Sequence, residues 1–194
     1  MKQIKIIGIG SGCTNLLNRI IFNKQFKRKF SDNNINFGAI DSDRKFLDLS
    51  SAEEKLLIKS GQDEEGFTGD FEEAEKTAIS YENEIKTIIE NPDILIVVST
   101  LGGGTGTGIT PLVVKLANDK GIKTILVVST PFLWEGKKRI NAANIAIQKI
   151  NQYTQNCIVI NNEKLIKKIG KQLTIKDAFA IADNEIAAFI ETKI

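Results

Sequence analysis

The chain has 194 residues, of which 42% are apolar and 26% are charged, a balance typical of one globular domain with a buried core. Its formal net charge of +2 is too small to indicate a nucleic-acid partner. The absence of histidine excludes histidine-based metal sites and acid–base chemistry, and two cysteines provide neither a disulfide framework nor metal-site spacing. No apolar run is long enough to span a membrane, and the run at 4–9 is too short for a signal peptide, so we expect a cytoplasmic protein.

The predicted elements alternate between strand and helix along the whole chain. Apolar, β-branched runs predict six strands at 3–9, 35–40, 56–58, 94–98, 122–129 and 157–160. Helical periodicity predicts one helix over 71–90 and a final helix from about residue 175. This order predicts one α/β domain over residues 1–194: a Rossmann-like doubly wound parallel sheet with helices on both faces, ending in a long core helix.

The segment 8–15, GIGSGCTN, joins the first predicted strand to a helix that runs to about residue 24. It departs from the dinucleotide pattern G-x-G-x-x-G because Cys13 stands at the last position. Beside the second glycine-rich loop, described below, it predicts a first phosphate-contacting loop through Gly10, Ser11 and Gly12. From its position alone, Asn15 is expected to cap the helix start.

Two acidic residues, Asp41 and Asp43, follow the second predicted strand. An acidic side chain at this position can contact a ribose hydroxyl, as in dinucleotide-binding folds. It can equally cap the helix that is predicted to begin near Arg44. The residues alone leave both roles open.

The segment 101–108, LGGGTGTG, lies between a buried strand and a predicted helix through Leu112, Val113 and Leu116. A strand, a glycine-rich turn and a helix start hold anions, because free backbone N–H groups and the positive helix end point at the ligand. Glycine is expected where phosphate oxygens touch the backbone and where φ is positive. The absence of lysine excludes the G-x-x-x-x-G-K-[ST] loop. The predicted phosphate ligands are Gly102, Gly103, Gly104, Thr105, Gly106 and Thr107.

A further candidate group follows the fifth predicted strand, where Pro131 precedes Glu135 and Arg139. Glu135 and Arg139 are four residues apart, so on one helix they share a face and can form an ordinary surface pair. Their position just past a strand end favours a ligand contact, because open α/β sheets bind ligands at that edge.

The final predicted helix carries Phe179 and Asp183 one turn apart, so a ring and a carboxylate can meet the same base. Guanine presents N1–H and N2–H₂ as adjacent donors, and a carboxylate accepts from both. Adenine has no such donor pair, so Asp183 is expected to select against ATP. Phe179 can alternatively be a core residue.

The string GGGTGTG resembles the tubulin signature of the FtsZ/tubulin superfamily, and segments 131–139 and 178–184 resemble bacterial FtsZ. The resemblance implies a domain that binds GTP or GDP in a filament-forming cell-division protein. It implies that Glu135 holds ribose hydroxyls and that Arg139 lies near the base and sugar. It also assigns Asn15, Asp41 and Asp43 to the nucleotide.

Two departures from FtsZ shape the expected activity. The loop 61–70 is acidic at Asp63, Glu64 and Glu65 and should repel a triphosphate unless Mg²⁺, held through the phosphates, intervenes. FtsZ proteins continue past the long helix into an acidic loop and a second domain, and that loop enters the next subunit's nucleotide site. Because this chain stops at Ile194, we expect nucleotide binding with negligible hydrolysis alone, and no catalytic residue is assigned. A full-length FtsZ-like subunit is a candidate partner.

Two rival functions remain open at this stage. A nicotinamide-dependent reductase would explain the first glycine loop and Asp41, but neither the second glycine loop nor the Phe179/Asp183 pair. A scaffold or filament cap that binds no nucleotide would explain the acidic third loop and the reduced first loop.

Overall fold

The computed structural model describes residues 1–59, 61, 66–169 and 173–194. Within them, six parallel strands form one sheet in the spatial order β3-β2-β1-β4-β5-β6. The strands are β1 (Gln3–Ile9), β2 (Asn34–Asp41), β3 (Glu54–Leu57), β4 (Ile94–Thr100), β5 (Thr124–Thr130) and β6 (Cys157–Asn161). The order reverses between β1 and β4, so the loops after these two strands diverge and leave a crevice between them.

The helices of the described residues are α1 (Thr14–Phe22), α2 (Lys24–Lys29), α3 (Arg44–Leu49), α4 (Phe71–Ser80), α5 (Glu82–Ile88), α6 (Gly104–Asp119), α7 (Lys137–Ile150), α8 (Asn162–Ile169) and α9 (Ile175–Glu191). The single helix predicted over 71–90 is wrong, because α4 and α5 separate at Tyr81, whose φ of −104° and ψ of 17° leave the helical region. The Tyr81 hydroxyl accepts the backbone N–H of Lys59 at 3.3 Å, which ties this break to the chain beyond β3.

Helices cover both faces of the sheet, as the alternation of elements predicts. On one face α4, α5, α6 and α7 bury a cluster that includes Ile7 and Val97. On the other, α1, α2, α3 and α9 bury a cluster that includes Ile6 and Val98. Consecutive strand residues therefore point into opposite cores, which is why the central strands are apolar without interruption.

The predicted long final helix is α9, with 17 residues. A capping box begins it: the Asp177 N–H donates to Thr174 Oγ1 at 3.2 Å, and the Thr174 N–H donates to Asp177 Oδ2 at 3.1 Å. A stripe of small and apolar residues at intervals of four is buried: Ala178, Ala182, Ile186 and Ile190. The helix therefore presents the intervening Phe179 and Asp183 along a different side.

Candidate functional site

A cavity of about 500 Å³ lies at the C-terminal edge of the sheet, beside the point where the strand order reverses. Its lining comes from the loops after β1, β2, β4 and β5, from the start of α8 and from α9. The lining residues are 10–12, 42–43, 66–69, 100–101, 103–106, 129–131, Glu135, Arg139, Asn162, Phe179, Ala182, Asp183 and Ile186. Residues far apart in the sequence therefore share one crevice, of a size that holds a small ligand.

One end of the cavity is the start of α6. The sequence predicted a loop through residue 108, but the helix begins at Gly104, and Gly103 is its N-terminal cap residue without a side-chain cap. The first-turn N–H groups of Gly104, Thr105 and Gly106 thus have no intrahelical acceptor and line the cavity. Together with the positive helix end they form an anion site.

Most glycines of this segment are required because other atoms pack closely against them. The sequence had predicted glycine here for phosphate contact and for positive φ. Only Gly102 among residues 101–108 has a positive φ, 103°. A Cβ on Gly106 would lie 2.3 Å from the Thr100 carbonyl oxygen, and one on Gly108 would lie 2.4 Å from the Phe71 carbonyl oxygen. Gly103 has open space where its Cβ would be. Among the glycines at 102–108, it is therefore the one that leaves room for a ligand.

Hydroxyl groups hold the loops around the start of α6 in place. Thr107 Oγ1 accepts the Gly102 N–H at 2.8 Å, and both residues lie outside the cavity lining. Ser42 and Thr105 place their hydroxyl oxygens 2.5 Å apart, which joins the loop after β2 to the start of α6. Thr107 and Gly102, both predicted as ligands, therefore support the loop from behind.

The first glycine loop turns at Gly10, whose φ is 86° and whose N–H donates to the Ile40 carbonyl at 2.9 Å. Gly10, Ser11 and Gly12 all line the cavity, as predicted. Cys13, at the position where a dinucleotide motif has glycine, is buried, and burial raises the pKa of its thiol to about 12. This thiol is therefore neutral and packs as a small apolar side chain.

Asp41 supports two loops instead of lining the cavity. It is 2% exposed, and its Oδ1 accepts the Ser11 hydroxyl at 3.2 Å, the Ser42 N–H at 2.7 Å and the Asp43 N–H at 3.2 Å. Burial raises the pKa of the Asp41 carboxyl, while these three hydrogen bonds act in the opposite direction. Asp43 lines the cavity and also caps α3 by accepting the Lys45 N–H at 2.9 Å.

Glu135 and Arg139 line the cavity and form an ion pair of 2.9 Å. The prediction that both lie on one helix is wrong. Glu135 ends a 3₁₀ turn, and Gly136, with φ 96°, separates it from α7, which carries Arg139. Glu135 Oε1 accepts the Phe132 N–H at 2.8 Å, which fixes the carboxylate. Pro131 lies beside them in the lining, so this group offers a carboxylate and a guanidinium to a polar ligand.

Phe179 and Asp183 of α9 also line the cavity. Phe179 is 44% exposed and is therefore not the core residue that the sequence left open. The Asp183 side chain is only 15% exposed, and burial raises the pKa of its carboxyl to about 6, with Arg19 acting in the opposite direction. An open ring face thus lies beside a carboxylate that is ionised at neutral pH.

The structure also brings in polar residues that the sequence did not assign. Thr130 Oγ1 and Asn162 Oδ1 are buried side-chain atoms with no hydrogen-bond partner, and both residues line the cavity. Buried polar atoms normally find partners, so these two fit a ligand with hydroxyl or N–H groups. The available signal for Asn162 was its position just past the sixth predicted strand.

Asn15 lies outside this cavity and does not cap α1, which begins at Thr14. It lines an adjoining groove that shares Ser11, Gly12, Phe179 and Asp183 with the cavity and also contains Arg19.

The acidic residues Asp63, Glu64 and Glu65 of the predicted third loop lie outside the described residues.

Residues 3–170 match the Tubulin/FtsZ family, GTPase domain. The chain belongs to this family. It is 31% identical to the cell division protein FtsZ of Haemophilus influenzae over 196 residues, which cover 93% of this chain and 46% of that protein. The chain thus spans about half the length of the FtsZ relative.

Solved structures of the family confirm the fold. An FtsZ dimer from M. jannaschii superimposes with a TM-score of 0.87 at 29% identity, covering 98% of this chain and 54% of that one. CetZ2 from Haloferax volcanii, solved as a GTPγS-bound protofilament, has a TM-score of 0.82 at 17% identity, covering 98% of this chain and 57% of that one.

Membership of the Tubulin/FtsZ family settles the class of domain. It is an FtsZ-like GTPase domain of the kind found in cytoskeletal cell-division proteins, and neither the reductase nor the nucleotide-free scaffold is favoured. No helix among the described residues is long and apolar enough to span a membrane.

Proposed function

We propose that this FtsZ-like domain binds GTP and GDP in the cavity described above. The phosphates lie at the start of α6, the ribose at Glu135 and Arg139, and the base at Phe179 and Asp183. The observation that carries the proposal is the shared cavity, whose lining combines the anion site at the start of α6 with a carboxylate beside a partly exposed aromatic ring.

The phosphate end suits a polyphosphate with Mg²⁺ held through it. The N–H groups of Gly104, Thr105 and Gly106 are the donors, and Gly103 leaves space for oxygen atoms against the backbone. Among the residues described, no cluster of three or more acidic, cysteine or histidine side chains can hold a metal ion. A Mg²⁺ ion would therefore take its ligands mainly from phosphate and water, as this ion commonly does.

The base end suits guanine rather than adenine. An ionised Asp183 presents two acceptor oxygens, which match the adjacent N1–H and N2–H₂ donors of guanine. Adenine offers no adjacent pair of donors to this carboxylate, which is only 15% exposed and has little access to water instead. Asp183 therefore provides discrimination, while Phe179 provides stacking for either purine.

Hydrolysis and filament growth are proposed to need a carboxylate from outside this domain, supplied by a full-length FtsZ-like partner or a further domain. The carboxylates of the described lining are already engaged: Asp43 caps α3, Glu135 pairs with Arg139, and Asp183 lies beside Arg19. In this proposal Glu135 and Asp183 bind the ribose and the base, so none of the three carboxylates is assigned to activate a water molecule. Phosphate release from this chain alone should stay at background, and rapid release would contradict the assignment.

Calorimetric titration of the chain with GDP and ADP tests nucleotide binding. GDP should bind at least about 100-fold more tightly than ADP, because ADP cannot supply the adjacent pair of donors that a largely buried carboxylate accepts from guanine. Asp183→Asn should weaken GDP binding about 10- to 100-fold, since charge-assisted hydrogen bonds are lost. Glu185→Gln removes an exposed charge from the same helix and should leave affinity unchanged. Equal uptake of ADP, or no heat with GDP, would refute the proposal.

A further inference from the structure

Three aromatic rings run in series from the protein surface to the base end of the cavity. Trp134 stacks on Phe132 with 4.2 Å between the ring centroids and 8° between the planes. Phe132 meets Phe179 in a T-shaped contact, with 5.2 Å between the centroids and 88° between the planes. Phe132 is fully buried, whereas Trp134 is 50% exposed and Phe179 is 44% exposed.

The middle ring is the fixed member of this aromatic series. The backbone of Phe132 is held by its N–H, which donates to Glu135 Oε1 at 2.8 Å. The Trp134 ring lies nearly parallel to the Phe132 ring. Trp134 also lines an apolar groove together with Ile166 and Ile175. Removing the indole would therefore leave a space beside Phe132, into which the Phe132 ring can rotate.

Phe179 depends on that fixed ring for its own orientation. It projects from α9 with 44% of its surface exposed, so its neighbours constrain it less than those of a core residue. T-shaped contacts have a preferred geometry because the edge of one ring is positive and the face of the other is negative. The plane of Phe179 is thus set by Phe132, and the plane of Phe132 by Trp134.

We propose that Trp134 is a positioning residue that acts through Phe132 to hold Phe179 at the angle at which it stacks on the guanine base. This inference rests on the proposed function. It extends the site to a residue that lies outside the cavity lining and has no direct contact with the ligand. Trp134 therefore affects recognition of the base and leaves the phosphate end untouched.

Calorimetry with GDP and with inorganic pyrophosphate separates the two ends of the site. Trp134→Ala should weaken GDP binding about three- to tenfold, the range expected for aromatic contacts, and leave pyrophosphate binding unchanged. Trp134→Phe keeps a ring on Phe132 and should restore most of the affinity. Leu133→Ala, in the same turn but outside the aromatic series, is the matched control and should bind GDP like the wild type. If Trp134→Ala does not fold, Trp134→Leu replaces it.

A double-mutant cycle with Phe179→Ala distinguishes positioning from a general structural role. If Trp134 acts through Phe179, its loss should cost no further GDP affinity once Phe179 is alanine. Additive losses, or an equal loss of pyrophosphate binding, would overturn the inference while leaving guanine binding intact. Absence of GDP binding to the wild type would instead overturn the proposed function and this inference with it.

Intrinsic fluorescence gives a second readout, because Trp134 is the single tryptophan of the chain. GDP should change its emission through the connected rings, whereas pyrophosphate should not. Identical spectra with and without saturating GDP would count against the proposed connection.

Discussion

Arg19 of α1 and Asp183 of α9 meet beside the cavity, with 3.9 Å between Nη2 and Oδ2. Arg19 also donates from Nη1 to the Ala180 carbonyl at 3.2 Å and to the side chain of Asn184. The guanidinium is therefore attached to the same helix that carries Asp183, the carboxylate proposed to read the base. It opposes the effect of burial on the pKa of Asp183, which burial nevertheless raises to about 6.

The affinity for GDP should depend on pH through Asp183. Guanine donates hydrogen bonds to the ionised carboxylate, so binding should be constant above pH 7 and fall below pH 6, by at most about tenfold per pH unit. Calorimetric titrations between pH 5 and 8 measure this slope. Because the GDP phosphates also titrate in this range, Asp183→Asn is the control, and its profile contains the phosphate contribution alone. Arg19→Gln should move the midpoint to higher pH, and superimposable profiles for wild type and Asp183→Asn would refute the assignment.

The same carboxyl group should lower the stability of the free domain at neutral pH. Its pKa is higher in the folded domain than the ordinary value of 3.8, so the folded state binds more protons than the unfolded state between these values. The free energy of unfolding should fall as pH rises from about 4 to 6. Asp183→Asn should therefore have a higher Tm than the wild type at pH 7, despite weaker GDP binding. Urea melts of both proteins at pH 4 and pH 7 check the sign, and a lower stability of Asp183→Asn than of the wild type at pH 7 would contradict it.

Two glycine variants should separate ligand space from packing space. Gly103 has φ −89° and open space at its Cβ position, so Gly103→Ala should fold normally and obstruct the phosphate end, weakening GDP binding. Gly106→Ala would place a methyl group 2.3 Å from the Thr100 carbonyl oxygen and should lower stability by about 1–3 kcal/mol. Thermal melts and GDP titrations of the two variants provide the comparison. Unimpaired GDP binding by folded Gly103→Ala would place the phosphates elsewhere.

Two threonine variants should separate a ligand contact from an internal hydrogen bond. Thr130 Oγ1 has no partner, so Thr130→Val should cost the free domain little stability while weakening GDP binding. Thr110 Oγ1 lies 2.5 Å from the Gly106 carbonyl oxygen and 2.8 Å from Ser99 Oγ, so Thr110→Val should cost about 1–3 kcal/mol. Each substitution replaces a hydroxyl by a methyl group of similar size. Equal stability losses in the two variants would show that Thr130 is already satisfied.

The sequence by itself determined the class of fold and predicted the edge of the sheet at which the candidate site residues would meet. Strand periodicity and helix periodicity are local properties, and their alternation was enough to predict a doubly wound parallel sheet. The site residues were found because they follow strand ends, and parallel strands bring those ends to one edge of the sheet. Ser11, Gly103, Glu135 and Asp183 come from different loops or helices and line the same cavity.

Only the tertiary structure decided which of these residues face the cavity and which support it. Asp41 and Thr107 were plausible ligands by residue type, but their oxygens accept hydrogen bonds from Ser11 and Gly102. Ser42 and Thr105 meet although 63 positions separate them, and no local pattern contains that contact. The physical reason is that periodicity reports the burial of a face, whereas the partner of a polar atom depends on whichever distant segment packs against it.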